Sequence, residues 1–344
     1  MQNYIAETEI GSCVTSEYAV NGHCSVTGVT GSGKTVHLNR MELEAAKRRA
    51  TVIIIDVNQS HADSMIFPSF KTKYGLFSNR IDAKLDGLNL EFLKPLRGND
   101  GRMEDMINLI NSATYALGSS SKMGIRQMGA LREAVIFALK NRSAFPDEMD
   151  AVKYGLLQQD DPVAKGVYEK LWTVINSKIL RSDVKHLKKG AINIISFYGM
   201  DKGTQAAFVE ILLSTLWRTV QYQGEILGGD ILLVIDEYQN LPLKEGAVLR
   251  DILREGRKFG LNLFLATQSL RVFPRDIRGL INQAGTRLYF KPPVDEIRSI
   301  AREIDSKDTE RWTRVLSSLR VGEAVAIGSF VVGGREIDHP IIVR

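Results

Sequence analysis

The feature that most constrains the fold of this 344-residue chain is the octapeptide Gly-Val-Thr-Gly-Ser-Gly-Lys-Thr at residues 28–35. It fits the pattern Gly-x-x-x-x-Gly-Lys-Ser/Thr, in which glycines let the backbone curl so that successive N–H groups point at a phosphate chain. Residues 23–27 are predicted to form a short strand and residues 36–49 a helix. A strand, this loop and a helix in succession indicate an α/β fold with a nucleotide-binding loop.

Every residue of this octapeptide has an expected role. Lys34 is predicted to reach the β- and γ-phosphates of ATP, and the Thr35 hydroxyl is placed to bind Mg²⁺. The six residues whose backbone N–H groups are predicted to surround the phosphates are Gly28, Val29, Thr30, Gly31, Ser32 and Gly33. The alternative is a glycine-rich turn that binds nothing, but the strand and helix predicted on either side favour a nucleotide site.

Apolar runs later in the chain predict the strands of a sheet. These runs cover residues 51–56, 191–197, 231–235 and 261–268. Continuous apolar runs bounded by polar residues are typical of strands buried on both faces of a parallel sheet. Helices are predicted over residues 203–222 and 246–259, so strands and helices alternate. The pattern predicts an α/β core with a mainly parallel central sheet flanked by helices.

Other segments carry weaker signals. Residues 67–96 are irregular between Pro68 and Pro95, with short strands predicted near residues 74–77 and 88–92. Towards the C-terminus the predicted elements are strands at residues 287–291, 323–327 and 337–343 and a helix at residues 294–303.

A change of pattern near residue 99 predicts an all-helical insertion. Between residues 103 and 188 apolar residues recur at helical spacing, interrupted by Pro146 and Pro162. Its aromatic and methionine side chains are expected to form a small core of their own. The predicted domain organisation is a first part of the α/β core at residues 1–98, the helical insertion at 99–188 and a second part of the core at 189–344.

Two acids end the most apolar of the predicted strands. Asp236 is placed to hold the Mg²⁺ shell through Thr35 and water. Glu237 is placed to polarise an attacking water, since a carboxylate stays ionised at neutral pH yet accepts a proton in the transition state. A strand that ends in Asp-Glu is often only a surface turn. Together with the loop at residues 28–35, the pair favours hydrolysis of ATP over mere binding.

Gln268 and Arg257 complete the predicted catalytic set. Gln268 is expected beside the γ-phosphate if its strand neighbours the strand that ends at Asp236, where its amide can sense the phosphate. Arg257 is open to two interpretations. It is either a solvated cation at a helix C-terminus or an arginine finger supplied to the ATP of a neighbouring subunit.

The charge of the chain permits an acidic partner. The formal net charge is +5, and basic residues concentrate at residues 178–189, with five against one acid, and at residues 244–278, with eight against four. Such runs are usually solvated faces, and contact with DNA is the alternative interpretation. Cys13 and Cys24 lack the spacing of a metal site or a disulfide framework, which suits a reducing cytoplasm. No apolar stretch approaches a membrane span, so membrane association is expected to need a partner.

Seven segments together resemble the HerA/FtsK superfamily of ring-shaped pumping ATPases, above all HerA-type DNA translocases and conjugative type IV secretion ATPases. The segments read GVTGSGKT, IIIDVNQS, INIISFYG, LLVIDEYQNL, REGRKFGLNLFLATQSL, QAGTRLYFK and LRVGEAVAIG. The resemblance extends from about residue 20 to residue 344 and is weakest in the helical insertion.

The resemblance implies a RecA-like core, a hexameric ring with nucleotide at the subunit interfaces, and ATP-driven movement of DNA through the pore. The loop and the acid pair keep the roles given above. Gln268 corresponds to a sensor glutamine and Arg257 to a trans-acting arginine, with Arg287 a second candidate for that arginine. An isolated monomer is therefore expected to be inactive.

The chain also differs from typical HerA proteins at two places. The β-barrel that usually precedes the loop in HerA proteins has no space before Gly28, and the acidic and histidine residues that often follow the first buried strand are replaced by residues 56–61. A partner protein that supplies docking or nuclease function is therefore an expectation.

Two further functions stay open beside DNA translocation. One is a secretion ATPase that energises protein export, and the other is a nucleotide-dependent assembly or switch subunit that recruits an effector. A GTPase is disfavoured because the chain lacks an Asn-Lys-x-Asp guanine-reading element.

Overall fold

The centre of the molecule is a large twisted sheet. The computed structural model describes residues 2–9, 11–119, 121–181, 184–224, 230–241 and 247–344. The strands are β1 (Tyr4–Thr8), β2 (Gly11–Thr15), β3 (Cys24–Thr27), β4 (Thr51–Asp56), β5 (Ser78–Asp82), β6 (Ile192–Ser196), β7 (Ile231–Asp236), β8 (Leu261–Thr267), β9 (Thr286–Tyr289), β10 (Ala324–Gly328), β11 (Phe330–Val332), β12 (Arg335–Ile337) and β13 (Ile341–Val343).

Nine of these strands form the central sheet, in the order β13-β10-β9-β3-β8-β7-β4-β6-β5. All pairs from β9 to β5 are parallel, whereas β10 pairs antiparallel with β9 and β13 antiparallel with β10. Every residue of β4, β7 and β8 is buried, as expected of strands covered on both faces. The prediction of an α/β fold with a mainly parallel sheet is confirmed.

Helices cover both faces of this sheet. They are α1 (Lys34–Lys47), α2 (Pro68–Phe77), α3 (Met106–Gly118), α4 (Ile125–Asn141), α5 (Glu148–Leu157), α6 (Pro162–Lys170), α7 (Trp172–Asn176), α8 (Lys202–Gln223), α9 (Val248–Glu255), α10 (Arg275–Ile281), α11 (Ile297–Ile304) and α12 (Thr309–Ser318). Four of them start at an aspartate whose side chain accepts backbone N–H bonds: Asp105, Asp147, Asp161 and Asp201. These N-caps explain where α3, α5, α6 and α8 begin.

Successive side chains of a strand point to opposite faces of the sheet, so the apolar core has two layers. On β4, Val52 and Ile54 pack with α1 in one layer, while Ile53 and Ile55 belong to the layer that contains α8 and α9. The helices α3 to α7 join this second layer, in which Leu131 of α4 is fully buried. The expected core of the insertion is continuous with this layer, since α4, α5 and α6 pack on one another while α3 and α7 also pack on α8.

A small antiparallel sheet joins the beginning and the end of the chain. Its order is β1-β2-β11-β12. Two backbone hydrogen bonds of 2.9 Å between Glu7 and Arg344 connect β1 to the end of β13 on the central sheet. The first residues therefore belong to the same folded body as the nucleotide-binding loop.

Two of the predicted strands are wrong. Residues 74–77 lie in α2, where Tyr74 is buried against α1 and its hydroxyl bonds Glu42. Aromatic residues favour strands, but here packing against α1 outweighs that preference in a helix that begins at Pro68. Residues 88–92 form no strand, because only Leu88 makes a β-bridge, to Leu180.

Other boundaries shift. The predicted strand at 337–343 is two strands, β12 and β13, separated by a turn. The predicted helix at 246–259 is α9 followed by a 3₁₀ turn at Gly256–Phe259, and residue 246 itself lies outside the described residues. Within the described ranges, no helix is both long and apolar enough to cross a lipid bilayer.

Candidate functional site

The loop at residues 28–35 follows β3 and leads into α1. Gly31 and Gly33 have φ of +78° and +102°, in the region where only glycine fits without strain. A Cβ on Gly33 would lie 2.8 Å from the backbone nitrogen of Gly322, whose N–H donates to Ser32 O at 2.9 Å. The curled backbone therefore depends on glycine both for its conformation and for the close approach of the chain near Gly322.

Lys34 lies inside this loop. Its Nζ donates to Gly28 O at 2.5 Å and Val29 O at 3.2 Å, and the residue is buried. Burial lowers the pKa of Lys34, while the carboxylates of Glu237 and Asp236 act in the opposite direction. The ammonium group is thus held at the centre of the loop, in electrostatic contact with both predicted acids.

Asp236, at the end of β7, is the buried acid of the pair. Burial raises its pKa, and among the charges around it His61 and Lys34 lower it while Glu237 raises it. Its Oδ1 accepts the N–H of Glu237 at 2.9 Å. Thr35 follows Lys34 in the first turn of α1 and is half-buried.

These residues fit a Mg²⁺ ion of the kind that binds with a nucleotide. The described part of the chain holds no cluster of three His, Cys, Asp or Glu side chains suited to a metal. Mg²⁺ usually keeps several waters and takes one or two protein oxygens together with phosphate oxygens. Thr35 and Asp236, the two residues predicted to bind Mg²⁺, would match that number, and Ser32 Oγ is a further buried oxygen without a protein partner at this edge.

Glu237 is held by two glutamines. Gln268 Nε2 donates to Glu237 Oε1 at 2.9 Å, and Gln239 Nε2 donates to Glu237 Oε2. Thr267 Oγ1 donates to Gln239 Oε1 at 2.8 Å, which fixes that amide in turn. Glu237 itself has a left-handed backbone with φ of 54°. The carboxylate is therefore fixed both by its own backbone and by side chains from two strand ends.

Strand pairing explains why these groups meet. β8 lies between β3 and β7, and Asp236 is paired with Ala266, two residues before Gln268. The condition placed on Gln268, that its strand neighbours the strand of Asp236, is satisfied. Lys34, Asp236, Glu237 and Gln268 thus share the carboxyl edge of the sheet, where open α/β sheets bind ligands.

Of the two candidate arginines, Arg257 lies at the opposite edge of the sheet, whereas Arg287 is level with Leu265 of β8, since both pair with Ser25 of β3. Arg257 precedes β8 and Arg287 lies at the start of β9, and both line a cleft of about 850 Å³. The seven residues of β8 separate the two edges by roughly 20 Å at about 3.3 Å per residue. Arg257 therefore cannot reach the loop of its own subunit.

The two arginines differ in their contacts. Arg287 Nη1 lies 3.4 Å from Glu303 Oε1, and its side chain is only 20% exposed. Arg257 is exposed and donates to the carbonyl oxygen of Val20. A carboxylate already neutralises Arg287, whereas Arg257 lies beside a backbone oxygen and keeps its charge free for an anion.

Several side chains of the two basic stretches form ion pairs with acids of the same subunit. In the first, Lys178 pairs with Asp147 and Asp150, and Lys185 pairs with Asp86. Exposed basic side chains there include Lys188 and Lys189. In the second, Arg250 pairs with Asp276 and Arg271 with Asp295. Lys244 and Glu245, and in the first stretch Ser182 and Asp183, lie outside the described residues.

Three residues near this edge were not identified from the sequence. Gln239 was passed over, although it stands only two residues after Glu237. The segment at 56–61 was given no role, yet His61 is fully buried and Asp56 accepts backbone N–H bonds from residues 58, 60 and 61. A serine and a histidine shortly after the apolar run at residues 51–56 were the available signal for Ser60 and His61.

Sequence comparison relates the chain to HerA proteins. The family described as "Helicase HerA, central domain" matches residues 3–216. The DNA double-strand break repair helicase HerA of Sulfolobus acidocaldarius is 24% identical over 343 residues, which cover 94% of this chain and 66% of that protein. A probable HerA of Methanocaldococcus jannaschii is 21% identical, covering 91% of this chain and 70% of that protein. The chain thus spans slightly less than two thirds of the Sulfolobus relative.

Comparison of structures relates the fold to VirB4 and to the plasmid coupling protein TrwB. VirB4 of Thermoanaerobacter pseudethanolicus aligns with a TM-score of 0.72 at 14% identity, over 99% of this chain and 95% of that chain. The plasmid coupling protein TrwB in complex with ADP and Mg²⁺ aligns with a TM-score of 0.65 at 14% identity, over 100% of this chain and 89% of that chain. At this identity the likeness concerns the fold, and the expected RecA-like P-loop fold is confirmed.

Proposed function

The chain belongs to the family of the HerA helicase central domain, and on this premise we propose that it is an Mg²⁺-dependent ATPase that moves DNA through a ring of identical subunits. The observation that carries the proposal is the placement of charges on the sheet. Lys34, Asp236, Glu237 and Gln268 lie at one edge, and the exposed Arg257 lies at the other. Such a site becomes complete only when a second subunit brings its arginine edge to the loop.

At the carboxyl edge, each side chain has its own role in ATP hydrolysis. The loop N–H groups and Lys34 would bind the phosphates, and Thr35 and Asp236 would hold Mg²⁺, which supplies positive charge beside the phosphate oxygens. Glu237 accepts the proton of the attacking water. A carboxylate has about four acceptor positions, so the two amide bonds that orient Glu237 leave acceptor capacity for that water. Gln268, bonded to the base, is placed to link the γ-phosphate to it.

We assign the trans-acting role to Arg257 over Arg287. Arg257 has no carboxylate partner among the ion pairs of the described residues, whereas Arg287 faces Glu303. A guanidinium brought to the transferred phosphate of a neighbour would stabilise the charge of the transition state. A head-to-tail contact between two different edges closes into a ring when the rotation permits, and a hexamer is the ring expected for this family.

DNA is the proposed substrate of the motor. The HerA relatives carry names that refer to DNA double-strand break repair, and TrwB is named as a plasmid coupling protein. Lys188 and Lys189 are exposed and offer contacts to phosphates. We place the motor in the cytoplasm, in keeping with two free, buried cysteines, and expect a partner protein to supply docking or nuclease function.

The test is the rate of ATP hydrolysis with and without duplex DNA. We expect DNA to raise the rate and to bind at low salt, with affinity that falls steeply as salt rises. Glu237→Gln should retain ATP while losing about 10²-fold or more in rate, and Glu169→Gln, an exposed acid of α6, serves as its matched control. If DNA does not change the ATPase rate and does not bind at low salt, DNA translocation is contradicted. Protein export or a switch role would then be the alternatives.

A further inference from the structure

The segment at residues 291–296, which we call the bridging segment, leads from the end of β9 to the start of α11. At its first residue, Lys291 O accepts the N–H of Val29 in the nucleotide loop at 2.9 Å. At its last residue, Glu296 is buried and directly precedes α11. The bridging segment therefore connects the nucleotide loop to the surroundings of a buried acid that has no role in the site described above.

The Glu296 carboxylate accepts three hydrogen bonds from the turn after Gln268. Its Oε1 accepts the hydroxyl of Ser269 and, at 3.4 Å, the N–H of Arg271. Its Oε2 accepts the N–H of Leu270 at 3.1 Å. An ionised carboxylate only accepts, so all three groups act as donors to it. Glu296 thus fixes the three residues that follow Gln268.

The same turn is also closed from the side of β8. Thr267 Oγ1 accepts the N–H of Ser269 at 3.3 Å, as threonine hydroxyls do in turns of this kind. The Gln268 side chain is exposed, and its Nε2 donates to Glu237 Oε1 at 2.9 Å. Because burial does not restrain this side chain, its direction depends on the backbone of the turn that carries it.

A structural role accounts for part of these contacts. Glu296 is buried, and a buried carboxylate needs hydrogen-bond donors or a cation. None of the ion pairs among the described residues includes Glu296, whereas its neighbour Asp295 pairs with Arg271 at the surface. The donors that stabilise the buried charge all belong to the turn after Gln268. Whatever Glu296 contributes to stability, it also determines the position of this turn.

We propose that Glu296 is a positioning residue that directs the Gln268 amide between Glu237 and the γ-phosphate. Glu296 is in turn fixed by the bridging segment, in which its N–H donates to Pro293 O at 2.9 Å. The bridging segment begins on the nucleotide loop, so one short piece of chain sets the distance from that loop to Gln268. The inference rests on the proposed ATPase function.

The experiment measures kcat for ATP hydrolysis by the full chain and, separately, its affinity for a fluorescent ATP analogue. Glu296→Gln keeps the shape of the side chain, but its NH₂ group cannot accept, so at least one of the three bonds is lost. We expect kcat to fall by about 10- to 100-fold, as for a small misplacement of a catalytic group, with unchanged affinity for the analogue. Asp295→Asn, which breaks an exposed ion pair at the adjacent residue, is the control and should keep its kcat.

The same substitution in a Gln268→Ala chain separates positioning from a general structural defect. Gln268→Ala removes the amide that Glu296 is proposed to direct, so adding Glu296→Gln should lower kcat by less than about twofold more. An equal loss from Glu296→Gln with and without the Gln268 amide overturns the inference. Full activity of Gln268→Ala would contradict the role of Gln268 in the proposed function, and the inference would fall with it.

A second pair of variants tests the contact from the turn and serves even if Glu296→Gln does not fold. Ser269→Thr and Ser269→Val have nearly the same shape, but only threonine keeps the hydroxyl that donates to Glu296. Threonine should therefore retain kcat, and valine should lower it only in chains that keep Gln268. Equal kcat values for the two variants overturn the inference.

Discussion

Glu237 adopts a left-handed backbone conformation that a non-glycine residue takes up rarely and at a cost of about 1–3 kcal/mol. Such a conformation persists only where surrounding contacts determine it, and here both carboxylate oxygens are bonded by glutamine amides. The nearby Lys34 and Asp236 are buried and interact electrostatically with Glu237. The position of Glu237 at the carboxyl edge of the sheet is therefore determined by its neighbours.

His61 provides a pH test at the same scale. Its pKa of about 9 in the folded chain exceeds the ordinary 6.5, because Glu42, Asp56 and Asp236 outweigh the effect of burial. A raised pKa contributes stability that is complete below about pH 6.5 and is lost as pH rises to about 9.

We expect the free energy of unfolding to fall between about pH 6.5 and pH 9.5 by on the order of 3 kcal/mol more in the unmodified chain than in His61→Gln. Urea unfolding of both proteins at the two pH values measures this difference. Parallel pH profiles of the two proteins would show that His61 is not protonated in the folded chain.

At the scale of elements, a buried ion pair ties the segment before α3 to α8. Arg218 of α8 makes a two-bond contact with Glu104, at 2.6 Å for each bond, and also donates to the carbonyl oxygens of Phe92 and Lys94. The two side chains are 7% and 1% exposed. The contact fixes the place where the chain leaves the α/β core for the helical segment.

Removal of Arg218 should therefore be costly. Arg218→Leu leaves Glu104 as a buried charge without its partner, and we expect the free energy of unfolding to fall by about 3–5 kcal/mol. Denaturant unfolding measures the change, and Arg102→Ala, which breaks an exposed pair with Asp100, should cost less than about 1 kcal/mol.

The double variant Arg218→Leu, Glu104→Leu separates the two possible causes of this loss. It should recover much of the stability, because no unpaired charge stays buried. A single variant as stable as the Arg102→Ala control would contradict the assigned role of the pair.

The strands and helices that depend on local sequence patterns could be predicted from the sequence. Continuous apolar runs predicted β4, β7 and β8, and the glycines of the loop required a strand before and a helix after it. Residues 74–77 were misassigned because burial of Tyr74 against α1 decided their conformation. Helical periodicity likewise showed which faces of α3 to α7 are apolar but not that α3 and α7 pack on α8.

Some residues of the candidate site could likewise be predicted from the sequence, and others could not. The spacing within residues 28–35 and the order of the strands brought Lys34, Asp236 and Gln268 to one edge, as predicted. The contacts of Gln239 with Glu237 and of His61 with Glu42 depend on side-chain directions in the turns after β7 and β4. No periodic pattern encodes those directions, so these residues had to be found in the structure.

At the scale of the whole molecule, the two edges of the sheet should act on different nucleotides. Arg257→Ala is expected to lower the ATPase rate by a factor of about a thousand or more, as for loss of an arginine finger, and Lys34→Ala should abolish nucleotide binding. Mixed in equal amounts before assembly, the two variants should regain activity at roughly a quarter of the interfaces.

ATPase assays on mixed rings, checked for assembly by light scattering, measure this recovery. The control replaces Lys34→Ala with a chain that carries both substitutions, which should give no recovery. Well-formed mixed rings without regained activity would contradict a role for Arg257 across the interface.

The distance of roughly 20 Å between the nucleotide loop and Arg257 also has a genetic consequence. In a ring built as proposed, each polypeptide takes part in two sites, one through its loop and one through its arginine. A copy with both Lys34→Ala and Arg257→Ala would silence the sites on either side of it. Expressed beside the normal gene, such an allele should therefore be dominant, with a severity that grows faster than its share of the subunits.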